Sequence, residues 1–244
     1  MITLWRMFFY KPLYNALVFL VDVLPNNSLF FAVIILTIIV RLILYPLAKK
    51  AIRTQVNTKK LQPLLKDLKK QYPDKQEQAK ATMALYKEHK VNPFSSFLLL
   101  LLQFPVIIAL YWVFRDGGIE FDPELLYSFI NLPEQMNLTS FGINLGDKNI
   151  ILAILTGLAQ FIYLKKAQGM KTEKDPNATD QENMMMMVQK SMKFSMPIMI
   201  GIFAYMLGGA VALYWVTSNI FMIVQEHFVQ KSLKKEEELK GVTT

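Results

Sequence analysis

Residues 29–48 read LFFAVIILTIIVRLILYPLA, and one of them, Arg41, is charged. Widened to 23–48, the stretch still holds only that charge. A helix of ~20 apolar residues covers ~30 Å, the hydrocarbon thickness of a bilayer. Three further blocks, residues 91–114, 149–164 and 194–225, carry no charge. A soluble domain spreads its charge, about a quarter of its residues, over every helix. Here 19% of residues are charged, 53% are hydrophobic, and the two classes are segregated along the chain. The pattern predicts an all-α, polytopic membrane protein and excludes a soluble enzyme or a disordered chain.

The orientation follows from where the cations lie. Residues 47–91 hold 12 Lys and Arg, residues 165–193 hold 6 and the tail from 226 holds 4, against 2 in residues 1–28 and 2 in residues 115–148. Residues 115–148 also carry 6 acidic groups, among them Asp116, Glu120, Asp122 and Glu124. Cytoplasmic loops are enriched in Lys and Arg, so the basic segments are expected inside and the acidic loop outside. The net charge of +8 is therefore topological rather than a sign of DNA binding.

These constraints predict a five-span helical bundle with its C-terminus in the cytoplasm. Span one covers 29–48, a cytoplasmic helical hairpin 49–90 and span two 91–114. An extracytoplasmic loop follows over 115–148, then span three over 149–165 and a cytoplasmic loop over 166–191. Spans four and five occupy 192–228, joined at Gly208-Gly209, and a cytoplasmic tail fills 229–244. In the hairpin, Leu61, Leu64, Leu65 and Leu68 share one helical face. Tyr72-Pro73-Asp74 interrupts that face and Ala79, Met83 and Tyr86 restore it. Pro63 is expected to end, kink or restart the first of the two helices.

Residues 1–28 admit more than one interpretation. Arg6 and Lys11 ahead of an apolar run to Leu24 have the layout of a signal peptide, but Pro12 interrupts the run, Asp22 lies near its end and no small-residue cleavage site follows. A sixth span is the alternative, although the 13 residues from Pro12 to Leu24 are short for one. An amphipathic helix lying in the outer interface is the favoured expectation.

Polar groups inside apolar spans are the informative ones. Arg41 lies deep in span one, at a cost of at least ~2.5 kcal/mol for a cation near the bilayer centre. The charge-free runs contain no Asp or Glu to neutralise it, so it calls for a hydrated cavity or for snorkelling toward Lys49 and Lys50. Thr37 is one turn away on the same face, Gln103 sits in span two, Gln160 in span three, and Thr217, Ser218 and Asn219 in span five. Singly, each would serve as interhelical glue; jointly, they predict a shared polar groove beside Arg41. The Met-rich run Met184–Met187, with Met192 and Met196, is either packing at a helix start or a pliable surface for apolar segments.

Catalytic chemistry is missing. With no Cys and two His there is no disulfide framework, thiolate nucleophile or thiolate metal site. No His-Glu-x-x-His, Gly-x-Ser-x-Gly or Walker loop occurs. No enzyme activity, metal or cofactor is expected.

Several segments resemble one family in order along residues 9–228. They are Phe9-Tyr10-Lys11-Pro12-Leu13-Tyr14-Asn15, Ile38-Ile39-Val40-Arg41 through Tyr45-Pro46-Leu47, Lys60-Leu61-Gln62-Pro63, and Met83-Ala84-Leu85-Tyr86-Lys87-Glu88. Asn92-Pro93, Leu102-Gln103-Phe104-Pro105 with Ala109-Leu110-Tyr111-Trp112, and Ala212-Leu213-Tyr214-Trp215-Val216-Thr217-Ser218-Asn219 complete the set. Together they resemble the core of the YidC insertases, relatives of the mitochondrial Oxa and chloroplast Albino proteins. The resemblance implies insertion of nascent membrane proteins through a groove open to cytoplasm and lipid, alone or with the Sec translocon, and contact with ribosomes and membrane lipids. It assigns Arg41, Gln103, Gln160 and Trp215 to that groove, with Tyr214 beside them, and implies a short form without a large periplasmic domain. Two motifs depart from the family. Ser96-Phe97-Leu98-Leu99 replaces a Gly-Cys-Leu-Pro, which would leave span two straighter, and Leu207-Gly208-Gly209 replaces a Pro-Ala-Gly in the outer turn. A transporter or a structural scaffold is the competing function, and a coupled transporter would want an intramembrane carboxylate or broken helices.

Overall fold

The computed structural model describes residues 5–72, 74–92, 106–108, 111–112, 123–133, 135–168 and 180–241. These residues are mostly helical. A π-helical turn, Arg6–Tyr10, leads into α1 (Lys11–Val23), followed by α2 (Leu29–Ile43), α3 (Tyr45–Lys60), α4 (Gln62–Gln71) and α5 (Lys75–Glu88). A two-stranded hairpin, β1 (Thr139–Ser140) and β2 (Ile143–Asn144), precedes α6 (Ile150–Gln168), α7 (Asp180–Leu207) and α8 (Gly209–Gly241). Most of the expected second span, and Gln103 with it, lies outside the described residues. The chain forms two compact units, one of residues 1–42 and 105–224, the other of residues 43–104 and 225–244.

In the first unit, Pro12 stands where the π-helical turn runs into α1, and its ring and missing N–H interrupt the regular helical ladder there. Tyr14, Leu17, Val18 and Val21 recur on one face of α1 and are buried. Asn15 is buried among them. Its amide donates to the carbonyls of Lys11 and Leu125, both at 2.8 Å, and accepts from the Tyr127 N–H at 2.7 Å, so it pins the loop at 125–127 onto α1. The chain then reverses through Asn26 and Asn27, both with positive φ, a conformation that asparagine tolerates better than most residues. One core gathers Leu17 and Val21 of α1, Leu29, Ala32, Val33 and Leu36 of α2, Val106, Leu145, Leu152 of α6, Ala204 of α7, and Ala210, Ala212, Leu213 and Tyr214 of α8. Phe31, Ile38, Ile39 and Leu42 of α2, and Ile151, Ile154, Leu155, Leu158 and Ile162 of α6, point outward and are exposed.

β1 and β2 pair antiparallel, Thr139 opposite Asn144 and Ser140 opposite Ile143. Phe141 and Gly142 both take positive φ, as a two-residue hairpin turn of right-handed twist demands. Further main-chain bonds tie this region to the head of α2: the Leu29 N–H donates to the Asn137 carbonyl and the Asn137 N–H to the Asn27 carbonyl, each at 3.0 Å.

Gly208, at φ +101°, turns the chain from α7 into α8. Gly209 then approaches the backbone after β2 so closely that a β-carbon would lie 3.0 Å from the Asp147 carbonyl oxygen. Its N–H donates to that oxygen at 2.8 Å. A second close approach joins α6 to α7, because a β-carbon on Gly157 would lie 3.1 Å from the Pro197 carbonyl oxygen and one on Gly201 3.1 Å from that of Ala153. Small residues let two membrane helices meet backbone to backbone. Gly157→Leu should therefore cost about 1–3 kcal/mol of overpacking and lower the unfolding midpoint in detergent. An unchanged midpoint would mean that the two backbones do not meet.

In the second unit, α3 buries Ala48, Ala51 and Ile52. Ile52 clusters with Val229 and Leu233 of the end of α8, and Tyr45 and Val56 pack against them. Arg53 bonds the Glu236 carboxylate. Pro63 restarts a helix: α3 ends at Lys60, Leu61 takes the cap position and Pro63 stands in the first turn of α4. Asp74 caps α5, accepting from the N–H groups of Gln76 and Glu77 at 3.1 and 3.0 Å. α5 buries none of its residues.

Helix bounds and apolar runs differ in instructive ways. α6 alone carries a run long and apolar enough to cross a bilayer, Ile150–Ala167, among the described residues. α2 and α3 reach that length only as a pair, with the break at Leu44. Pro46, in the first turn of α3, has no N–H to donate back into α2. α7 begins at Asp180, well before its apolar part, Lys193–Leu207, and α8 runs through the charged tail to Gly241.

Candidate functional site

Arg41 lies in the last turn of α2, an otherwise apolar helix, and is 9% exposed. Its Nε donates to the Ser218 hydroxyl at 2.8 Å, and its Nη2 donates to the same oxygen. Two N–H groups converging on one oxygen fix the guanidinium's orientation against α8. Ser218 also shares a hydrogen bond with the Tyr214 side chain, one helical turn before it on α8. Tyr214 and Tyr163 of α6 are the phenols whose electrostatics reach Arg41. The sequence-predicted Arg41, Tyr214 and Ser218 thus come together, from α2 and α8.

The remaining candidates divide. Thr37 is buried one turn before Arg41, but its hydroxyl donates to the Val33 carbonyl at 2.6 Å and so serves its own helix. Gln160 is buried on α6, one turn before Tyr163. Trp215 is half-buried against the core. Asn219 is fully buried, and neither atom of its amide has a hydrogen-bond partner among the described residues. Gln103 lies outside them, as do the side chains of Met184–Met187; the backbone of that Met run is helical, within α7.

Three groups carried no sequence signal of belonging here. Tyr163 stands toward the end of the apolar run of α6, and its phenol acts electrostatically on Arg41. Thr156 is fully buried and its hydroxyl is shared between the carbonyls of Leu152 at 2.8 Å and Ala212 at 3.2 Å, bridging α6 to α8. Lys166, taken as a loop cation, donates to the Ile223 carbonyl at 3.0 Å and ties the same two helices.

The arrangement offers a fixed positive charge with phenolic and alcoholic hydroxyls in an apolar surround. Among the described residues it holds no nucleophile–base pair. It can bind and orient anionic or polar groups within a hydrophobic body.

The model of the family described as 60Kd inner membrane protein matches residues 20–237. Among curated relatives, the membrane protein insertase YidC of Oceanobacillus iheyensis is 32% identical over 235 residues, which cover 94% of this chain and 85% of the relative. That of Actinobacillus pleuropneumoniae serotype 3 is 33% identical over 233 residues, 95% of this chain and 38% of the relative. That of Haemophilus influenzae strain PittEE is 32% identical over the same length, again 38% of the relative. The chain therefore spans about two fifths of the length of the Actinobacillus and Haemophilus proteins and most of the Oceanobacillus one. Matched over nine tenths of its length, with Arg41, Tyr214 and Ser218 assembled inside the matched region, the chain belongs to the 60Kd inner membrane protein family, the YidC/Oxa family that its sequence resembles.

Proposed function

We propose that the chain is an insertase and chaperone of integral membrane proteins in a bacterial plasma membrane. The observation that carries this reading is Arg41, a cation nine-tenths buried in an apolar helix and bonded to a neutral hydroxyl. A cation is retained at such a cost where it performs a function. Arg41, Tyr214, Trp215, Ser218, Asn219, Thr37 and Gln160 line a hydrated groove open to cytoplasm and lipid, in which a substrate's polar tail finds partners while its apolar segment moves into the bilayer. The buried amide of Asn219, unsatisfied among the described residues, supports hydration there. The partners are nascent membrane proteins, the ribosome and the Sec translocon. The chain crosses the membrane five times with its C-terminus and the hairpin of residues 49–90 in the cytoplasm. α1 lies in the outer interface, where exposed Phe8, Phe9 and Phe19 meet lipid.

The test is reconstitution. Vesicles holding the purified chain should insert a single-span substrate with a short acidic tail, without nucleotide and without the Sec translocon, and yield a protease-protected tail. Equal protection in protein-free vesicles would overturn the reading.

A further inference from the structure

A cleft of about 330 Å³ opens at the Ser28 end of α2. Its lining is mostly apolar, with Leu24, Phe31 and Ile35, and the polar groups in it are those of Asn26, Ser28, Asn137 and Ser140. None of its lining residues is charged. The Ser28 and Ser140 hydroxyls share one bond at 3.1 Å, which leaves the pair a further donor and several acceptor positions. The Asn137 side-chain oxygen accepts from the Thr139 N–H at 2.9 Å, so its NH₂ is turned to other partners. The apolar lining continues into the outward face of α2, where Phe31, Ile38, Ile39 and Leu42 are exposed.

A second observation points the same way. Phe141, at the hairpin tip beside the cleft, has φ +54°, in a turn that usually selects Asn or Gly. Holding a bulky residue in that region strains the backbone. Yet the ring is 79% exposed and makes edge-to-face contacts with only Phe30 and Phe31, at 5.5 and 6.1 Å, among the described residues. An aromatic kept exposed at such a cost beside the outward face of a membrane helix is suited to the lipid interface.

We propose that the cleft holds one membrane phospholipid, with an acyl chain along Phe31 and Ile35, the glycerol-ester oxygens at Ser28, Asn137 and Ser140, and Phe141 covering it from the interface. The inference rests on α2 being a bilayer span. Because its polar groups are uncharged, the cleft recognises the ester region common to all phospholipids rather than an anionic headgroup. A resident lipid would hold the head of α2, the hairpin and the α1–α2 turn together at the membrane surface.

The experiment places a photoreactive diazirine amino acid at Ile35, in the cleft, or at Ile39, on the outward face of α2, in the full chain. The protein is irradiated in nanodiscs of phosphatidylethanolamine and phosphatidylglycerol, and again after exhaustive detergent washing, with adducts read by mass spectrometry. Lipid adducts are expected at both positions in nanodiscs, and after washing at Ile35 alone, with one lipid per protein and either headgroup. Ser140→Leu should weaken retention at Ile35 about tenfold through lost hydrogen bonds and blocked polar groups. Parallel loss at both positions on washing, retention only of phosphatidylglycerol, or full retention in the Ser140→Leu protein would overturn the proposal. Absence of adducts at Ile39 in nanodiscs would instead overturn the reading of α2 as a span.

Discussion

Arg41→Ala is expected to reduce insertion of a substrate with an acidic translocated tail by about ten- to a hundredfold, and Arg41→Lys to hold it within a few-fold of the unaltered protein. The reasoning starts from how Arg41 is held. Its Nε and Nη2 both donate to the Ser218 hydroxyl, and attraction of a substrate carboxylate needs the charge rather than that fork geometry. An ammonium can donate to the same hydroxyl and keep the charge. Attraction of a carboxylate is chiefly Coulombic and grows as the local dielectric falls below that of water, and Arg41 is nine-tenths buried. The loss in Arg41→Ala should therefore track the number of acidic residues in the tail and largely vanish for a neutral tail. The measurement is the protected fraction for four pairings, Ala or Lys at position 41 with an acidic or a neutral tail. If the alanine protein inserts the acidic substrate as well as the unaltered one, capture by charge is not how this site works. If lysine fails as badly as alanine, the guanidinium is structural.

Much of this site was legible because a bilayer restricts residue choice so strongly. A lone Arg in a run of Ile, Val and Leu stands out on composition alone, as do Ser218 and Asn219 in the last charge-free block. Pairing them was harder. Arg41 and Ser218 are 177 positions apart, and helical periodicity says which face a residue occupies but not which helix covers it. For that reason nothing in the sequence ties Tyr163 or Lys166 to a partner helix, or marks Glu226, buried near the end of the last apolar run with its Oε1 accepting from Gln230 at 2.7 Å.

Hydropathy also marks where lipid can lie, not where hydrogen bonding ends. Span four was expected from 192, but α7 begins at Asp180, since Met, Gln and Lys propagate a helix well outside an apolar core. The same holds for α8, whose Lys- and Glu-rich end is joined to α3 by Arg53 and Glu236. Conversely, α2 stops at Ile43, inside the expected first span, because Pro46 prevents α3 from continuing its ladder. The β1–β2 hairpin had no sequence signature, as two-residue strands are too short to show alternation.

Replacing residues 55–85 with a short Gly/Ser linker is expected to abolish insertion while leaving the membrane-embedded helices folded. The replacement removes all of α4, most of α5 and the end of α3, and little of that segment is packed. α5 buries none of its residues, and of the cluster that anchors the second unit, Ile52, Val229, Leu233 and Tyr45 all remain, with Val56 alone deleted. The Arg53–Glu236 pair also survives. Elements with so few buried contacts open at low free energy, so the deletion should shift the unfolding midpoint far less than Gly157→Leu does. What it removes is charge: the basic residues from Lys59 to Lys80, on a surface that an anionic ribosomal or lipid partner would meet. Two measurements separate the roles. If recruitment is the function, substrate insertion falls to the protein-free level while circular dichroism and the midpoint persist, and substitution of the hairpin's lysines by glutamine reproduces much of the loss. If the hairpin serves only to orient the chain, the deletion protein inserts normally once it has been reconstituted in the correct orientation, and that outcome would remove recruitment from the proposed mechanism.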